Sequence, residues 1–236
     1  MPNDELGLLL LHALPFDSEM WSAQIPLQPN HTYAPNLYEF GPSIEVWAEK
    51  SLSLCQEKRL VVVGCSVGAS CALELAKLAP ERIDALVLIG AKAHHNPDSE
   101  TYRKALQLLD RQGVEAAWQT YWEPLLHLPD DKAITPAAKD MAMRQSKAHL
   151  SNGLSAFHTR PSREDFATNC NFPIHIITGD HDTLPGPAYS RNLAAVAKEG
   201  YLHIIKSCGH YVPLTKPNEL NEILNDVIDI ATASKS

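Results

Sequence analysis

The chain has no run of lysines and arginines, no Gly-Lys-Ser or Gly-Lys-Thr, no GxGxxG, no CxxC and no HExxH. Each absence removes a class of function. Without basic clusters, and at a net charge of −8, nothing neutralises phosphates, which argues against nucleic acid and anionic membrane as partners. The missing glycine-rich signatures argue against a P-loop or a dinucleotide cofactor. No His/carboxylate spacing suits a catalytic metal, so neither metal nor cofactor is expected. The apolar run in MPNDELGLLLLH is short and preceded by acidic residues, unlike a signal peptide, and no stretch reaches membrane-spanning length. Five cysteines, Cys55, Cys65, Cys71, Cys170 and Cys208, are an odd count without metal spacing. Free thiols in a reducing compartment are the expectation, and a cytoplasmic location with them.

What is present is enough apolar material for one α/β core: 236 residues, 44% hydrophobic and 20% charged. Six short apolar runs punctuate the chain: LGLLLLH (6–12), HTYAPN (31–36), RLVVVG (59–64), IDALVLIG (83–90), FPIHIITG (172–179) and YLHIIK (201–206). Most are continuous rather than alternating, the pattern of strands buried on both faces of a parallel sheet. Helical stripes lie between several of them. Ser43 reads as an N-cap for Ile44, Trp47, Ala48, Leu52 and Cys55. Val67, Cys71, Leu75 and Leu78 follow Ser66 until Pro80, and Pro217 opens a stripe of Leu220, Ile223, Leu224, Val227 and Ala231. Strand–helix alternation of this kind predicts a doubly wound α/β domain. Between about 97 and 171 no strand is expected, only helical stripes: Tyr102, Leu106 and Leu109; then Val114, Trp118, Tyr121, Trp122 and Leu125; then a third opening at Thr135-Pro136. The aromatics argue for a small packed helical lid.

The stretch VVVGCSVGAS carries the chemistry. It places GCSVG, a G-x-S-x-G, between an apolar strand and a helical stripe, where a serine on a sharp strand-to-helix turn is exposed for attack. A serine hydroxyl needs a base. Of eleven histidines, His94 and His95 read as loop surface, His175 and His203 as strand residues, His127, His149 and His158 as part of the lid, and His31 as near a strand start. His210, in KSCGHYVPLTKP, follows the last strand at the edge where open α/β sheets place ligands. His12, ending the first strand, is its competitor. The base needs a carboxylate to fix its tautomer, and IITGDHDTLPG offers Asp180 and Asp182 on the same edge. Either could turn inward. With Asp182 the order is serine, aspartate, histidine.

These pieces resemble the α/β-hydrolase fold superfamily, and within it the compact esterase and 3-oxoadipate enol-lactonase-like branch. The resemblance is carried by LLLLHALPFDSEMW, EFGPS, VVVGCSVGAS, VLIGA, IHIITGDHDTLPG and SCGHYVPLTKPNEL, nearly the whole chain except the lid. It implies Ser66 as nucleophile, Asp182 as acid by its spacing from Gly179, and His210 as base. It also implies an oxyanion hole from the backbone N–H groups of Leu14 and Val67. Ala13 where glycine is usual, and Ala69 where a second glycine is frequent, are departures that remove no reacting group. A minimal six-stranded, mostly parallel sheet is expected.

The expected activity is serine hydrolysis of a small carboxylic ester, lactone or thioester by a monomer or homodimer acting on a small-molecule substrate. Carbon–carbon bond cleavage or lyase chemistry on the same triad, and a slow-turnover ligand receptor of the same fold, are the alternatives. His12, Trp118, Tyr121 and Trp122 are the candidate pocket residues. Arg160, in HTRPSRED, could meet a substrate carboxylate or lie on the surface.

Overall fold

In the computed structural model, which describes residues 5–126 and 134–234, each of the six apolar runs forms a strand. β1 (Leu6–Leu11), β2 (Thr32–Tyr33), β3 (Arg59–Cys65), β4 (Ile83–Ile89), β5 (Ile174–Gly179) and β6 (Gly200–Ile205) make one sheet. Every pairing is parallel and the order is β2-β1-β3-β4-β5-β6. The continuous hydrophobic runs are explained by burial on both faces: Leu8 to Leu11 and Leu60 to Val63 are fully covered. Each such side chain contributes roughly 1.5–3 kcal/mol. Two runs are trimmed by proline, which has no N–H for the ladder. The second strand stops at Tyr33, two residues before Pro35, and the fifth begins after Pro173.

Helices cover both faces. α1 (Ile44–Leu54) is capped by Ser43, whose Oγ accepts from Val46 N at 3.5 Å. α2 (Val67–Leu78) follows β3 and ends before Pro80; Leu78 is the exception in its stripe and lies exposed at the helix end. Between β4 and β5 come α3 (Ser99–Ala117), α4 (Ile134–Met143), α5 (Lys147–Thr159) and α6 (Glu164–Asn169). The two stripes expected around Leu109 and Val114 form one helix kinked at Gly113, where φ is +85°, and a π-helical turn at 118–122 continues it. Among the described residues α4 runs from Ile134, and Thr135 and Pro136 lie within it. α7 (Pro187–Val196), α8 (Val212–Thr215) and α9 (Pro217–Ala233) complete the order. Among the described residues no helix is long and apolar enough to cross a membrane.

The topology positions the site. From β1 the chain steps outward to β2, then returns to place β3 on the other side of β1. The order therefore reverses between β1 and β3, and a crevice opens there at the carboxyl ends of the strands. Register places Leu11 beside Gly64, Cys65 beside Ile89, and Gly179 beside Ile205. Residues just beyond these ends converge on one edge.

Candidate active site

The turn after β3 is shaped by close approach. A Cβ on Gly64 would fall 2.3 Å from the carbonyl oxygen of Gly68, and one on Gly68 would fall 2.1 Å from that of Leu11. Only hydrogen fits at either place, so the first turn of α2 sits directly on β1 and β3. The intervening Ser66 is forced to φ 55°, ψ −115°, a conformation that L residues rarely hold. Its N–H donates to Ile89 O at 2.8 Å and its carbonyl accepts from Ala69 N at 3.0 Å. The flanking residues are buried while Ser66 is partly accessible. Val67 is the first residue of α2, and the first N–H groups of a helix have no intrahelical partner.

The loop after β6 brings His210 to the same edge, buried at 1% exposure. Its Nδ1 lies 3.1 Å from both carboxylate oxygens of Asp182. Asp182, in the loop after β5, is itself held: Oδ1 accepts from Leu184 N at 2.8 Å and Oδ2 from Thr178 Oγ1 at 3.5 Å. With Nδ1 engaged, His210 Nε2 is buried and has no hydrogen-bond partner. Ser66 and His210 border the same cleft without a hydrogen bond between them. The end of β4 makes room for the pair. A Cβ on Gly90, at φ +56°, would meet His210 Cε1 at 2.6 Å. Asp180 turns elsewhere, accepting from Cys208 N at 3.2 Å. Burial raises its pKa, but bonds from the Cys208 and Ser207 N–H groups outweigh this and leave the carboxyl below its ordinary value.

The loop after β1 is tied down from three sides. Ala13 N donates to Met20 Sδ at 3.1 Å, Tyr38 Oη donates to Ala13 O at 3.3 Å, and Tyr211 Oη donates to Leu14 O at 3.1 Å. Tyr211 also packs edge-on against His210 with centroids 5.0 Å apart, so one ring links this loop to the one carrying the histidine. His12 is fully buried and receives Leu37 N–H on Nε2 at 2.9 Å. That bond places its proton on Nδ1, 3.2 Å from Ala13 O. Burial, opposed by hydrogen bonds to Ala13 and Asn36, pushes its pKa down to about 4.

A cavity of about 250 Å³ adjoins Ser66, walled by Leu14, Tyr121, Trp122, Leu154, Phe157 and Tyr211 among others. Of the four pocket candidates, Tyr121 and Trp122 line it. His12 does not, because both its nitrogens serve the backbone behind the crevice. Nor does Trp118, which is fully buried with its ring 6.2 Å from Phe16. Arg160 is not on the surface: it is 5% exposed and borders a second, small cleft of about 20 Å³ with Ser66, Ser70, Lys92 and His210. Of the other histidines, His158 lines the larger cavity, His31 pairs with Glu57 at 2.7 Å, and His175 and His203 stack on each other. His127 lies outside the described residues. All five cysteines are free and buried. Among the described residues no group of three or more His, Cys, Asp or Glu could hold a metal ion.

A parallel six-stranded sheet with a serine on the strained turn after β3 defines the class as an α/β-hydrolase fold. A sequence model of the Alpha/beta hydrolase family matches residues 8–223, and the chain belongs to that family. It is 23% identical over 239 residues to the carboxylesterase YbfK of Bacillus subtilis, covering 94% of this chain and 79% of that one. A thermophilic esterase from Thermogutta terrifontis superposes with a TM-score of 0.86 at 20% identity, over 97% of this chain and 91% of its own. The enol-lactonase from Burkholderia xenovorans LB400 does so with a TM-score of 0.80 at 19% identity, over 96% and 92%. The structural neighbours bear out the fold.

Proposed function

We propose that the chain is a serine hydrolase that cleaves a carboxylic ester, lactone or thioester through an acyl-enzyme on Ser66. The observation that carries this reading is His210: Nδ1 rests on Asp182 at 3.1 Å, while Nε2 is buried and unpartnered beside the strained serine. A buried ring nitrogen without a partner is costly, and a substrate-aligned Ser66 hydroxyl would satisfy it.

In this mechanism Ser66 Oγ attacks the carbonyl carbon as its proton passes to His210 Nε2. Asp182 keeps Nδ1 protonated and stabilises the imidazolium. The oxyanion faces the N–H groups of Leu14 and Val67, which are fixed before the reaction begins. Collapse of the tetrahedral intermediate expels the alcohol or thiol, which takes the proton from Nε2. Water, deprotonated by the same nitrogen, then releases the acid and restores Ser66. The helical segment between β4 and β5 acts as a lid, its Tyr121, Trp122 and Phe157 receiving the apolar part of the substrate in the 250 Å³ cavity.

The test is labelling with a fluorophosphonate followed by peptide mapping, with Ser66→Ala as the partner experiment. The label is expected on Ser66 alone, and the variant should keep its unfolding transition while kcat falls on the order of a millionfold. Label on another serine, or turnover surviving in the variant, overturns the mechanism.

A further inference from the structure

Arg160 stands at the end of α5, and no other arginine or lysine among the described residues is as buried. The remaining arginines of this region are matched: Arg163 lies 2.6 Å from Glu74, and Arg144 pairs with Glu19. Arg160 has no carboxylate within ion-pairing distance among the described residues. One nitrogen donates to the carbonyl of Phe157, the guanidinium lies 4.1 Å from the centre of the Phe157 ring, and Nε is buried with no partner at all. An unpaired buried cation is expensive; such groups are normally paired or give up their charge. Burial lowers this one only to about 10, so it remains charged at neutral pH. The Tyr189 phenol favours the charge, but burial raises its own pKa and keeps it neutral at pH 7, so it supplies no counter-ion. His158 is driven down to about 4 by burial and then by Arg160 and His95, and His95 is lowered by burial and by Arg160.

The uncompensated charge faces the proposed chemistry. Arg160, exposed Lys92, Ser66 and His210 line one cleft of about 20 Å³, and Ser66, Phe157 and Leu184 are shared between that cleft and the apolar cavity of about 250 Å³. Since one water needs roughly 10–15 Å³, the cleft takes a small head group and no chain. We propose that Arg160, with Lys92, is a carboxylate subsite, and that the substrate is an ester joining an apolar group to a short carboxylate-bearing group. This rests on the reading of Ser66 as the nucleophile. The apolar group fills the larger cavity, the carbonyl lies at Ser66, and the carboxylate receives the fork of Arg160, a geometry that arginine matches in bidentate fashion. The carboxylate thereby supplies the counter-charge that the fold leaves out.

The experiment compares two substrate pairs: hexyl hydrogen succinate against hexyl N-methylsuccinamate, and hexanoyl glycolate against its N-methylamide. They place the carboxylate on the acyl and on the alcohol side. For at least one pair the wild type should show kcat/KM tenfold or more higher on the charged member. Arg160→Met should reduce that ratio at least tenfold, chiefly through KM, and Arg160→Lys should fall between. Replacing a buried unpaired cation with an apolar side chain of similar length is compatible with folding, and thermal unfolding checks this. A measurement on unaltered protein covers a misfolded variant: N-hexylsuccinamate should bind at least tenfold tighter than its N-methylamide by calorimetry. Equal use of both members in both pairs, equal binding of the two amides, or a variant that leaves the ratio unchanged overturns the subsite. If those results come with Ser66 labelled and neutral esters hydrolysed, the hydrolase reading stands alone. If Ser66 is not labelled while the amide binds in an Arg160-dependent way, the hydrolase reading fails and the subsite stands.

Discussion

His12 after β1 and His210 after β6 lie beyond strand ends on the same edge of the sheet, 0% and 1% exposed, and sequence position hardly separates them. Their hydrogen bonds do. His12 spends Nε2 on the Leu37 N–H and Nδ1 on Ala13 O. It therefore closes a backbone gap and has nothing left for chemistry. His210 spends Nδ1 on a carboxylate and leaves Nε2 open toward the cleft that Ser66 lines. A buried histidine becomes a candidate base when one nitrogen is anchored to an anion and the other is left without a partner. Burial alone says little.

The strongest way to break the comparison is to remove each ring in turn. His210→Ala should lower kcat on the order of a millionfold, since the members of such a triad act as a unit, and should leave the unfolding transition close to that of the wild type. His12→Phe should do the opposite. It strands the Leu37 N–H, at about 1–3 kcal/mol, whereas Ala13 O still accepts from Tyr38 Oη and Phe16 N, and the reacting groups remain. Activity assayed on folded protein, beside thermal unfolding, reads both. A folded His12→Phe protein with no turnover, or an active His210→Ala protein, would reverse the assignment.

The two aspartates sharpen the same contrast at smaller scale. Asp182→Asn should cost about 10⁴-fold in kcat, because an amide on Nδ1 no longer selects the tautomer or stabilises the imidazolium. Asp180→Asn keeps an oxygen to accept the Cys208 N–H and should stay within about threefold, as substitutions away from buried networks usually do. Steady-state kinetics on the pair decides it, and the reverse ranking would move the acid to Asp180.

The sheet was legible because burial on both faces leaves an unmistakable trace: runs such as LVVV and LVLI have no polar alternation to confuse with a half-exposed strand. Proline set the boundaries that hydrophobicity missed, at Pro35 and Pro173. The serine turn was legible through its glycines, whose spacing reflects contacts of 2.3 Å and 2.1 Å that admit no side chain. Residue chemistry left Asp180 and Asp182 open, and the resemblance chose Asp182 by its spacing from Gly179; in the fold it is Asp182 that lies against His210 Nδ1. The sequence also misjudged residues whose role depends on what covers them. HTRPSRED reads as polar surface, yet Arg160 is buried by Phe157. Trp118 and Trp122 share one aromatic stripe, yet only the latter reaches the cavity. Gly90 carried a signal in VLIGA, as a glycine ending a buried strand, but the histidine that it accommodates comes from a loop 120 residues later in the chain.

The smallest effect is in stability against pH, and it belongs to His12. His12 is held neutral in the folded state at a pKa of about 4, against an ordinary 6.5. Between these values the unfolded chain binds a proton that the folded chain refuses, so stability is full above about 6.5 and falls as pH drops toward 4. At about 1.4 kcal/mol per unit, this residue accounts for roughly 3 kcal/mol of acid sensitivity. His158 and His175 are also pushed down to about 4 by burial and steepen the same window, so the informative quantity is a difference. His12→Gln keeps an acceptor for Leu37 and a donor for Ala13 but cannot titrate. Urea unfolding at pH 7.5, 6, 5 and 4.5 should show the wild type converging on the variant as acidity increases, with the gap at neutral pH reduced or abolished. Parallel curves would mean that His12 is not held neutral by its burial. The tautomer that ties β1 to the Leu37 turn would then have to be assigned afresh.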